Sequence, residues 1–354
     1  MDESVESESN HTSPLMDEIE YGPALVDRTK MSFRQKLEEQ YERLGCWTIT
    51  TMLFSSPFVF IYLFFKPPMW IFNVAYILWM IYDRETPHRG SRRVKWLRKI
   101  RFWRGRRDYF PCKLVKTAEI PPNTTYLFAS FPHGFLCYGP STNIMSDVNQ
   151  FDEAFPGLNP YLATLNGNYY APFMRDFYLL WGGCAVSPRS ISHILNGPAG
   201  NVCVLIVGGR SEQKINTPGK NRVVLKNRKG FVRMALKSGS SLVPVYSFGE
   251  TFLYKEPTSN LYRRLREKLR ASFDPEFFLF RGPCTLGHLF GLLPYQQQVT
   301  TVVGKPIPVP KVEEPTKELI DKYHEIFVQE FVQLFEKYKG KYDPEGEEGT
   351  LRIE

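Results

Sequence analysis

Two long uncharged stretches near the N-terminus restrict this chain more than any other feature of its sequence. Residues 44–65 are 22 consecutive uncharged residues, a Lys-Pro-Pro turn follows at 66–68, and residues 69–82 add 14 more. The first stretch is long enough to cross the hydrocarbon core of a bilayer, which takes about 20 helical residues. The pattern predicts a membrane-embedded hydrophobic hairpin over residues 44–82, either as two spans or as a shallow re-entrant wedge. A buried hairpin in the core of a soluble domain is the alternative.

The formal net charge of +8 conceals two flanking segments of opposite sign. Residues 1–20 hold seven acids and no Lys or Arg, whereas residues 84–107 hold eleven Lys or Arg and a single acid. The acidic composition predicts a disordered tail over residues 1–29. Basic residues directly after a hydrophobic segment attract anionic head groups, so residues 83–107 are predicted to be an interfacial segment that contacts membrane phospholipid. A solvated basic face and a nucleic-acid patch are the alternatives, and the adjacent apolar stretches favour lipid with no nucleic-acid partner.

A short amphipathic helix is predicted over residues 30–43, ahead of the uncharged stretches. Phe33, Leu37 and Tyr41 recur at helical spacing, and Arg34 and Glu38 form an i,i+4 pair. This helix leads directly into the predicted hairpin.

Cysteine usage indicates a chain that faces the cytosol. The six cysteines form no C-x-x-C pair and show no zinc-finger spacing with histidine. We therefore expect reduced thiols and no bound metal. The first 20 residues are acidic and polar, unlike a secretory signal peptide.

From residue 108 onward, strand-like and helix-like runs alternate. Apolar stretches at residues 126–131, 202–207, 242–248 and 300–303 predict buried strands, and an amphipathic stretch after Pro315 predicts a last helix. The alternation predicts an α/β layered domain over residues 108–340, with a mixed sheet and flanking helices. Residues 341–354 are predicted to be a C-terminal tail.

His133 is the sharpest catalytic candidate in this domain. It directly follows the predicted strand 126–131, and Pro132 and Gly134 fix the turn around it. Strand carboxyl ends are where α/β folds place their sites, and a histidine there can act as a general base near neutral pH. A structural histidine in a turn is the alternative.

Three further groups of residues follow predicted strands or precede a predicted helix. Gly208-Gly209 lets backbone approach a ligand, and Glu212 beside it can orient a base. Arg228-Lys229-Gly230 presents paired cations that suit a phosphate. Glu250 supplies a second carboxylate at a strand end. An ordinary turn and a solvated basic face are the respective structural alternatives.

Eight blocks of sequence carry a resemblance to a known family. They are Asp108–Pro111, Lys113–Thr117, Pro132–Gly134, Tyr161–Asn168, Gly208–Glu212, Asn227–Val232, Val243–Glu250 and Val302–Ile307. In this order they resemble the type-2 diacylglycerol acyltransferases and the related monoacylglycerol and wax-alcohol acyltransferases. The resemblance extends from about residue 46 to residue 340.

The resemblance implies an acyl-CoA-dependent O-acyltransferase with a glycerolipid acyltransferase-like fold. It implies an endoplasmic reticulum membrane protein that faces the cytosol and also occurs at lipid droplets. Diacylglycerol is the implied acceptor, with monoacylglycerol or a long-chain alcohol as alternatives, and acyl-CoA is a co-substrate with no further cofactor. A non-catalytic, membrane-anchored lipid-binding or droplet-shaping protein is the alternative of another class. Self-association is left open.

The resemblance also assigns roles. It implies that His133 is catalytic, and Glu212 matches the family's glutamate after the paired glycines. In the expected mechanism Glu212 stabilises the imidazolium, amides at Gly134 or Gly208-Gly209 hold the oxyanion, and Arg228-Lys229 meets the CoA phosphates. Phe131 stands where the family block usually has its first histidine, so His133 is the only candidate base in that block.

Overall fold

An eight-stranded sheet forms the centre of the protein, and a two-stranded sheet lies beside it. The computed structural model describes residues 18–23, 31–215, 219–254 and 294–354. The strands of that part of the chain are β1 (Ile19–Tyr21), β2 (Lys113–Lys116), β3 (Tyr126–Phe131), β4 (Asn159–Thr164), β5 (Gly183–Ala185), β6 (Asn201–Ile206), β7 (Asn221–Val223), β8 (Ser241–Phe248), β9 (Thr300–Val303) and β10 (Leu351–Ile353). The spatial order of the large sheet is β1-β2-β9-β8-β3-β6-β4-β5.

Helices cover both faces of the large sheet. Within the described residues they are α1 (Phe33–Phe64), α2 (Trp70–Tyr82), α3 (Arg101–Tyr109), α4 (Tyr138–Asn143), α5 (Phe151–Ala154), α6 (Met174–Trp181), α7 (Pro188–Leu195), α8 (Gly209–Ile215), α9 (Gly230–Ser238) and α10 (Lys317–Tyr342).

The predicted α/β architecture with a mixed sheet is confirmed. Strands β8, β3, β6, β4 and β5 run parallel to one another, whereas β9 is antiparallel to β8. Every residue of β3, β6 and β8 is buried, because helices cover both faces, and this explains why these strands are almost continuously apolar. The carboxyl ends of the five parallel strands therefore share one edge of the sheet.

Each face of the sheet has its own aromatic core. On the α9 and α10 face, the Phe231 and Phe327 rings lie 4.9 Å apart. On the α3 and α6 face, the Trp103 and Trp181 rings stack with centroids 5.0 Å apart. The second face also carries the pocket described below.

Helices α1 and α2 contain the two uncharged stretches. The helix α1 runs without interruption from Phe33 to Phe64, so the predicted amphipathic helix and the first uncharged stretch form one element. Ser32 and Gln35 start it with a reciprocal capping box. Among the described helices, none is by itself both long and apolar enough to cross a bilayer, but Ser55–Phe64 and Pro67–His88, bent by 109°, meet those requirements as a pair.

Much of the basic segment 83–107 packs against the domain. Arg98 is only 2% exposed and forms an ion pair with Asp152 at 2.5 Å. Arg92 pairs with Asp83 at 2.6 Å, and Trp103, which we expected at a membrane interface, is 1% exposed. The prediction of an interfacial segment is wrong for these residues, because Asp83 and Asp152 neutralise the charges and the domain buries the indole.

The N-terminal prediction of disorder is wrong for residues 19–21. These residues form β1, which pairs antiparallel with β2. Glu20 accepts hydrogen bonds from Lys113 Nζ at 2.9 Å and from the Tyr342 hydroxyl at 2.6 Å. Its carboxylate therefore binds polar groups at the edge of the sheet. The rest of the predicted tail, residues 1–17 and 24–29, lies outside the described residues.

The predicted C-terminal tail is part of the domain. Helix α10 continues to Tyr342, and β10 pairs in parallel with β7. The Leu225 and Lys226 amides both donate to the carbonyl oxygen of Glu354 at 2.9 Å. The prediction of a separate tail over residues 341–354 is wrong, because the backbone groups of β7 need hydrogen-bond partners and β10 supplies them.

Candidate active site

The candidate residues from three separate blocks meet at the carboxyl edge of the parallel strands. His133 follows β3, the Gly208-Gly209 pair and Glu212 follow β6, and Glu250 follows β8. Strands β6 and β8 both pair with β3, one on each side, so the ends of the three strands are adjacent in space. The sheet thus brings together residues that are up to 117 positions apart, as the position of polar residues at strand ends predicted.

A pocket of about 200 Å³ opens at this edge. Its walls are largely apolar and aromatic, and they come from α3, α6, β4 and the loop after β3. The aromatic lining consists of Phe102, Trp103, Phe135, Tyr138, Phe177, Tyr178 and Trp181. The polar lining includes His133, Arg106, Cys137, Asn168, Arg210 and Gln213. Such a pocket suits a hydrocarbon chain that carries a reactive polar end.

His133 lies half-buried on the pocket wall, directly after the cis peptide bond between Phe131 and Pro132. Its Nδ1 is 3.2 Å from the carbonyl oxygen of Gly134 and 3.6 Å from Sγ of Cys137. Because a carbonyl oxygen only accepts, this contact assigns the ring proton to Nδ1 and leaves the lone pair on Nε2. Burial lowers the pKa of His133 below its ordinary value of 6.5, so the neutral imidazole is favoured.

Glu212 supports the backbone of His133. One carboxylate oxygen accepts the His133 amide hydrogen, and the other accepts the Val224 amide at 2.9 Å. Burial raises the pKa of Glu212 from 4.5 to about 7, while the two amide donors oppose that rise. The carboxylate is therefore a positioning group. It fixes the main chain at His133 and adds negative potential there, but its hydrogen bonds go to backbone amides and not to the ring.

Glu250 supports the next turn in the same manner. Its two oxygens accept the amides of Tyr138 at 2.8 Å and Gly139 at 2.7 Å, at the start of α4. Burial raises the pKa of Glu250 to about 7 against these two donors. Two buried carboxyl groups thus fix the loop between His133 and α4 by hydrogen bonds to its backbone amides.

The two glycines beside these carboxylates leave space for them. Gly134 has φ +55°, and a Cβ there would lie 2.5 Å from Cγ of Glu250. A Cβ on Gly208 would lie 2.0 Å from Oε2 of Glu212. Any larger residue at either position would displace a buried carboxylate.

The basic candidates do not line the pocket, and their contacts differ from each other. Arg228 is exposed and donates to Oγ of Ser211 at 2.7 Å, beside the Gly208 carbonyl. Lys229 instead forms an ion pair with Asp321 at 2.7 Å. Gly230 is the first residue of α9. The structure brings Arg228 to the block that contains Glu212, whereas the charge of Lys229 is already paired.

Comparison with known proteins adds an independent line of argument. Residues 62–352 match the family model described as diacylglycerol acyltransferase. Diacylglycerol O-acyltransferase 2 of Danio rerio is 41% identical over 301 residues, which are 83% of this chain and 83% of the relative. The chain belongs to the diacylglycerol acyltransferase family.

Other members of the family are named for different acceptors. The 2-acylglycerol O-acyltransferase 3 of Homo sapiens is 41% identical over 86% of this chain and 92% of its own length. The acyl-CoA wax alcohol acyltransferase 2 of Mus musculus is 36% identical over 84% and 91%. The predicted family resemblance is confirmed, and identity alone does not separate the acceptors.

Phe131, where the family block usually has a histidine, belongs to the core. It is fully buried, and its ring lies 4.8 Å from that of Phe331 in α10. The Phe131 side chain is thus on the α10 face of the sheet, opposite to the pocket face. In this member of the diacylglycerol acyltransferase family, residue 131 stabilises the helix that backs the site.

Two residues that line the pocket were not predicted to be site residues from the sequence. Arg106 was counted only as part of a basic segment, yet it lines the pocket and its guanidinium lies 4.5 Å from the Tyr138 ring. Cys137 was expected only to be one of six reduced thiols, yet it contacts His133. The proximity of Arg106 to the first family block, Asp108–Pro111, was the only available signal.

Proposed function

We propose that this protein is an acyl-CoA-dependent O-acyltransferase that converts diacylglycerol to triacylglycerol, with His133 as the general base. The observation that carries the proposal is the position of the His133 imidazole on the wall of an aromatic pocket, where burial lowers its pKa, in a chain of the diacylglycerol acyltransferase family. The aromatic walls suit the acyl chain, and the polar end of the pocket suits the thioester.

His133 takes the proton of the acceptor hydroxyl as its oxygen attacks the thioester carbonyl. The lone pair on Nε2 accepts that proton, since Nδ1 faces the Gly134 carbonyl. The carbon–sulfur bond then breaks, and the imidazolium returns its proton to the CoA thiolate. The ester and free CoA are the products. General-base catalysis of this kind contributes about 10²–10⁴-fold.

Arg106 is a further donor that we assign to the developing oxyanion, beside the amides of Gly134 and Gly208-Gly209, which stay predicted donors. The amides of His133, Tyr138 and Gly139 are already bonded to Glu212 or Glu250. Nε of Arg106 is buried and has no hydrogen-bond partner among the described residues. A guanidinium in a partly desolvated pocket is well suited to stabilise an oxyanion.

Glu212 contributes by position and by charge. It fixes the main chain of His133, and its ionised form stabilises the imidazolium that forms during attack. The exposed Arg228 beside Gly208 is a ligand for a CoA phosphate at the pocket rim. The expectation that no cofactor beyond acyl-CoA is required stays a prediction.

The bent helix pair supports the proposal that this chemistry takes place beside a membrane. Helices α1 and α2 expose many large apolar side chains, among them Phe58, Ile61, Ile71 and Phe72. We assign these surfaces to the bilayer as a re-entrant hairpin in the endoplasmic reticulum membrane, with the domain in the cytosol and with access to lipid droplets. Diacylglycerol, which is dissolved in the bilayer, then reaches the pocket without passing through water.

An assay with competing acceptors tests the acceptor assignment. Purified full-length protein is given one labelled acyl-CoA and equal amounts of diacylglycerol, 2-monoacylglycerol and a long-chain alcohol. We expect triacylglycerol to be the main product. Dominance of diacylglycerol or wax ester would reassign the acceptor within the family, and the absence of every ester product would favour a non-catalytic lipid-binding protein.

The pH dependence of the reaction separates His133 from the buried carboxyls. Because burial lowers the pKa of His133, the base is neutral at pH 7 and is lost only as the pH falls. We expect kcat/KM for diacylglycerol to decline with a midpoint below pH 6.5. A midpoint at or above about 7 would instead indicate titration of Glu212 or Glu250.

A further inference from the structure

A second cleft lies away from the candidate active site. It has a volume of about 680 Å³, within the range of ligand sites, and shares no lining residue with the aromatic pocket. One wall is the turn after α2, residues 88–91. The other walls are α7, the turn that leads into β6, and the first half of β4 at Tyr161.

The cleft is lined by cationic and neutral polar groups. Arg89 and Arg189 supply two guanidinium groups, and His88 and His193 supply two imidazoles. None of the thirteen lining residues is acidic. A site with several nitrogen donors and no carboxylate in its lining selects an anion, and guanidinium groups suit phosphate in particular.

The charges of the cleft are available to a ligand. Glu85 at the rim pairs with Arg189 at 2.7 Å, but Arg189 is 61% exposed, so this contact is weak and exchangeable. Arg89 is exposed and forms no ion pair within the part of the chain that the structure describes. The Ser91 hydroxyl is buried in the cleft wall and has no hydrogen-bond partner among the described residues.

The first wall of the cleft follows the apolar helix α2 in the chain and is fixed to the domain. That helix ends at Tyr82, which is 82% exposed, and Arg89 follows seven residues later. The connecting turn is fixed to α7, because the Ser190 hydroxyl donates to the Pro87 carbonyl at 3.1 Å. An apolar surface followed at once by a cationic cleft has the polarity of a phospholipid, with hydrocarbon on one side and phosphate on the other.

We propose that this cleft, defined by His88, Arg89, Ser91, Arg189 and His193, binds the phosphate of an anionic phospholipid head group. Arg89 and Arg189 bind the phosphate oxygens, and Ser91 donates its hydroxyl proton. The site is distinct from the acyl-transfer pocket and anchors the domain to membranes that contain anionic lipid. The inference rests on the proposed insertion of α2 in the bilayer, and the same phosphate chemistry is also present in soluble phosphate.

Vesicle binding by the full-length protein tests the cleft. The protein is mixed with vesicles of phosphatidylcholine alone or of phosphatidylcholine with a minor fraction of phosphatidic acid, at one ionic strength, and the bound fraction is measured by flotation. The wild-type chain is expected to bind the acidic vesicles more tightly. The double variant Arg89→Gln/Arg189→Gln is expected to lose that gain, on the order of tenfold or more, since each arginine near an anionic surface contributes about fivefold.

A matched variant distinguishes the cleft from general positive charge. Lys305→Gln/Lys311→Gln removes two exposed cations from another part of the surface and is expected to keep the gain. Equal loss in both double variants, or retention of the full gain by Arg89→Gln/Arg189→Gln, would overturn the proposal. Millimolar inorganic phosphate, added to the wild-type chain at the same ionic strength, separates the sources. If it abolishes the gain, the site takes soluble phosphate and the head-group assignment is overturned; if it has no effect, the head group is the ligand.

The same experiment distinguishes the role of the cleft from membrane binding by the hairpin and from acyl transfer. Binding to neutral vesicles reports α1 and α2, whereas the arginine-dependent increment reports the cleft. Acyl transfer in neutral micelles is expected to be unchanged in the Arg89→Gln/Arg189→Gln variant, because neither residue lines the pocket. Loss of that activity would contradict a site distinct from the acyl-transfer pocket.

Discussion

His133→Ala is expected to lower the rate of acyl transfer by about 10²–10⁴-fold, since it removes the general base. The effect should fall on kcat, because the imidazole acts during attack and the aromatic pocket walls still bind the acyl chain. The fold should survive, because Glu212 bonds the amide of residue 133, which alanine retains. The measurement is triacylglycerol formation from acyl-CoA, with the melting temperature of the purified variant alongside.

His193→Gln is the matched control for the histidine variant. It removes an exposed imidazole from the cationic cleft, outside the pocket, and should keep wild-type kcat in neutral micelles. A folded His133→Ala protein with full activity would exclude His133 as the base. Equal losses in both variants would indicate a general effect of histidine removal.

Glu212→Ala is expected to lower both stability and activity. It leaves the amides of His133 and Val224 buried without an acceptor, at a cost of about 1–3 kcal/mol each. The sum is a large part of the 5–15 kcal/mol that typically separates folded from unfolded states. Chemical denaturation measures the loss, and Glu325→Ala, which removes an exposed carboxylate from α10, should change stability little.

Glu212→Gln separates the charge of residue 212 from its packing. The amide keeps the size of the carboxylate and one acceptor oxygen but removes the negative charge near His133. Protonation of the imidazole then becomes harder, so the acid limb of kcat/KM should move to lower pH than in the wild type. An unchanged acid limb, together with lower stability, would reduce Glu212 to a purely structural support.

Local sequence patterns located much of the fold and one central residue of the site. The strand predicted at residues 126–131 is β3 with the same bounds, and His133 follows it on the pocket wall. Continuous apolar runs identify buried parallel strands because helices cover both faces of the sheet. The polar residue after such a strand is then placed at the sheet edge by topology alone.

Charge partners could not be predicted from local patterns. Eleven basic residues between 84 and 107 indicated a lipid-facing strip, yet Arg98 is buried against Asp152, and Arg106 lines the pocket. Which of these charges meets water, lipid or an acid depends on contacts between residues about 50 positions apart. Composition reports the sum of the charges, and packing decides the environment of each one.

The apolar N-terminal element, the α/β alternation, the family and the candidacy of His133 follow from residues that are neighbours in the chain, so the sequence predicts them. Packing was needed to place Glu212 on the amide of His133 and Glu250 at the start of α4. Packing also joins residues 19–21 and 351–353 to the domain as strands. A buried carboxylate or an open strand edge must find hydrogen-bond partners, and the packing of distant segments sets which partners it finds.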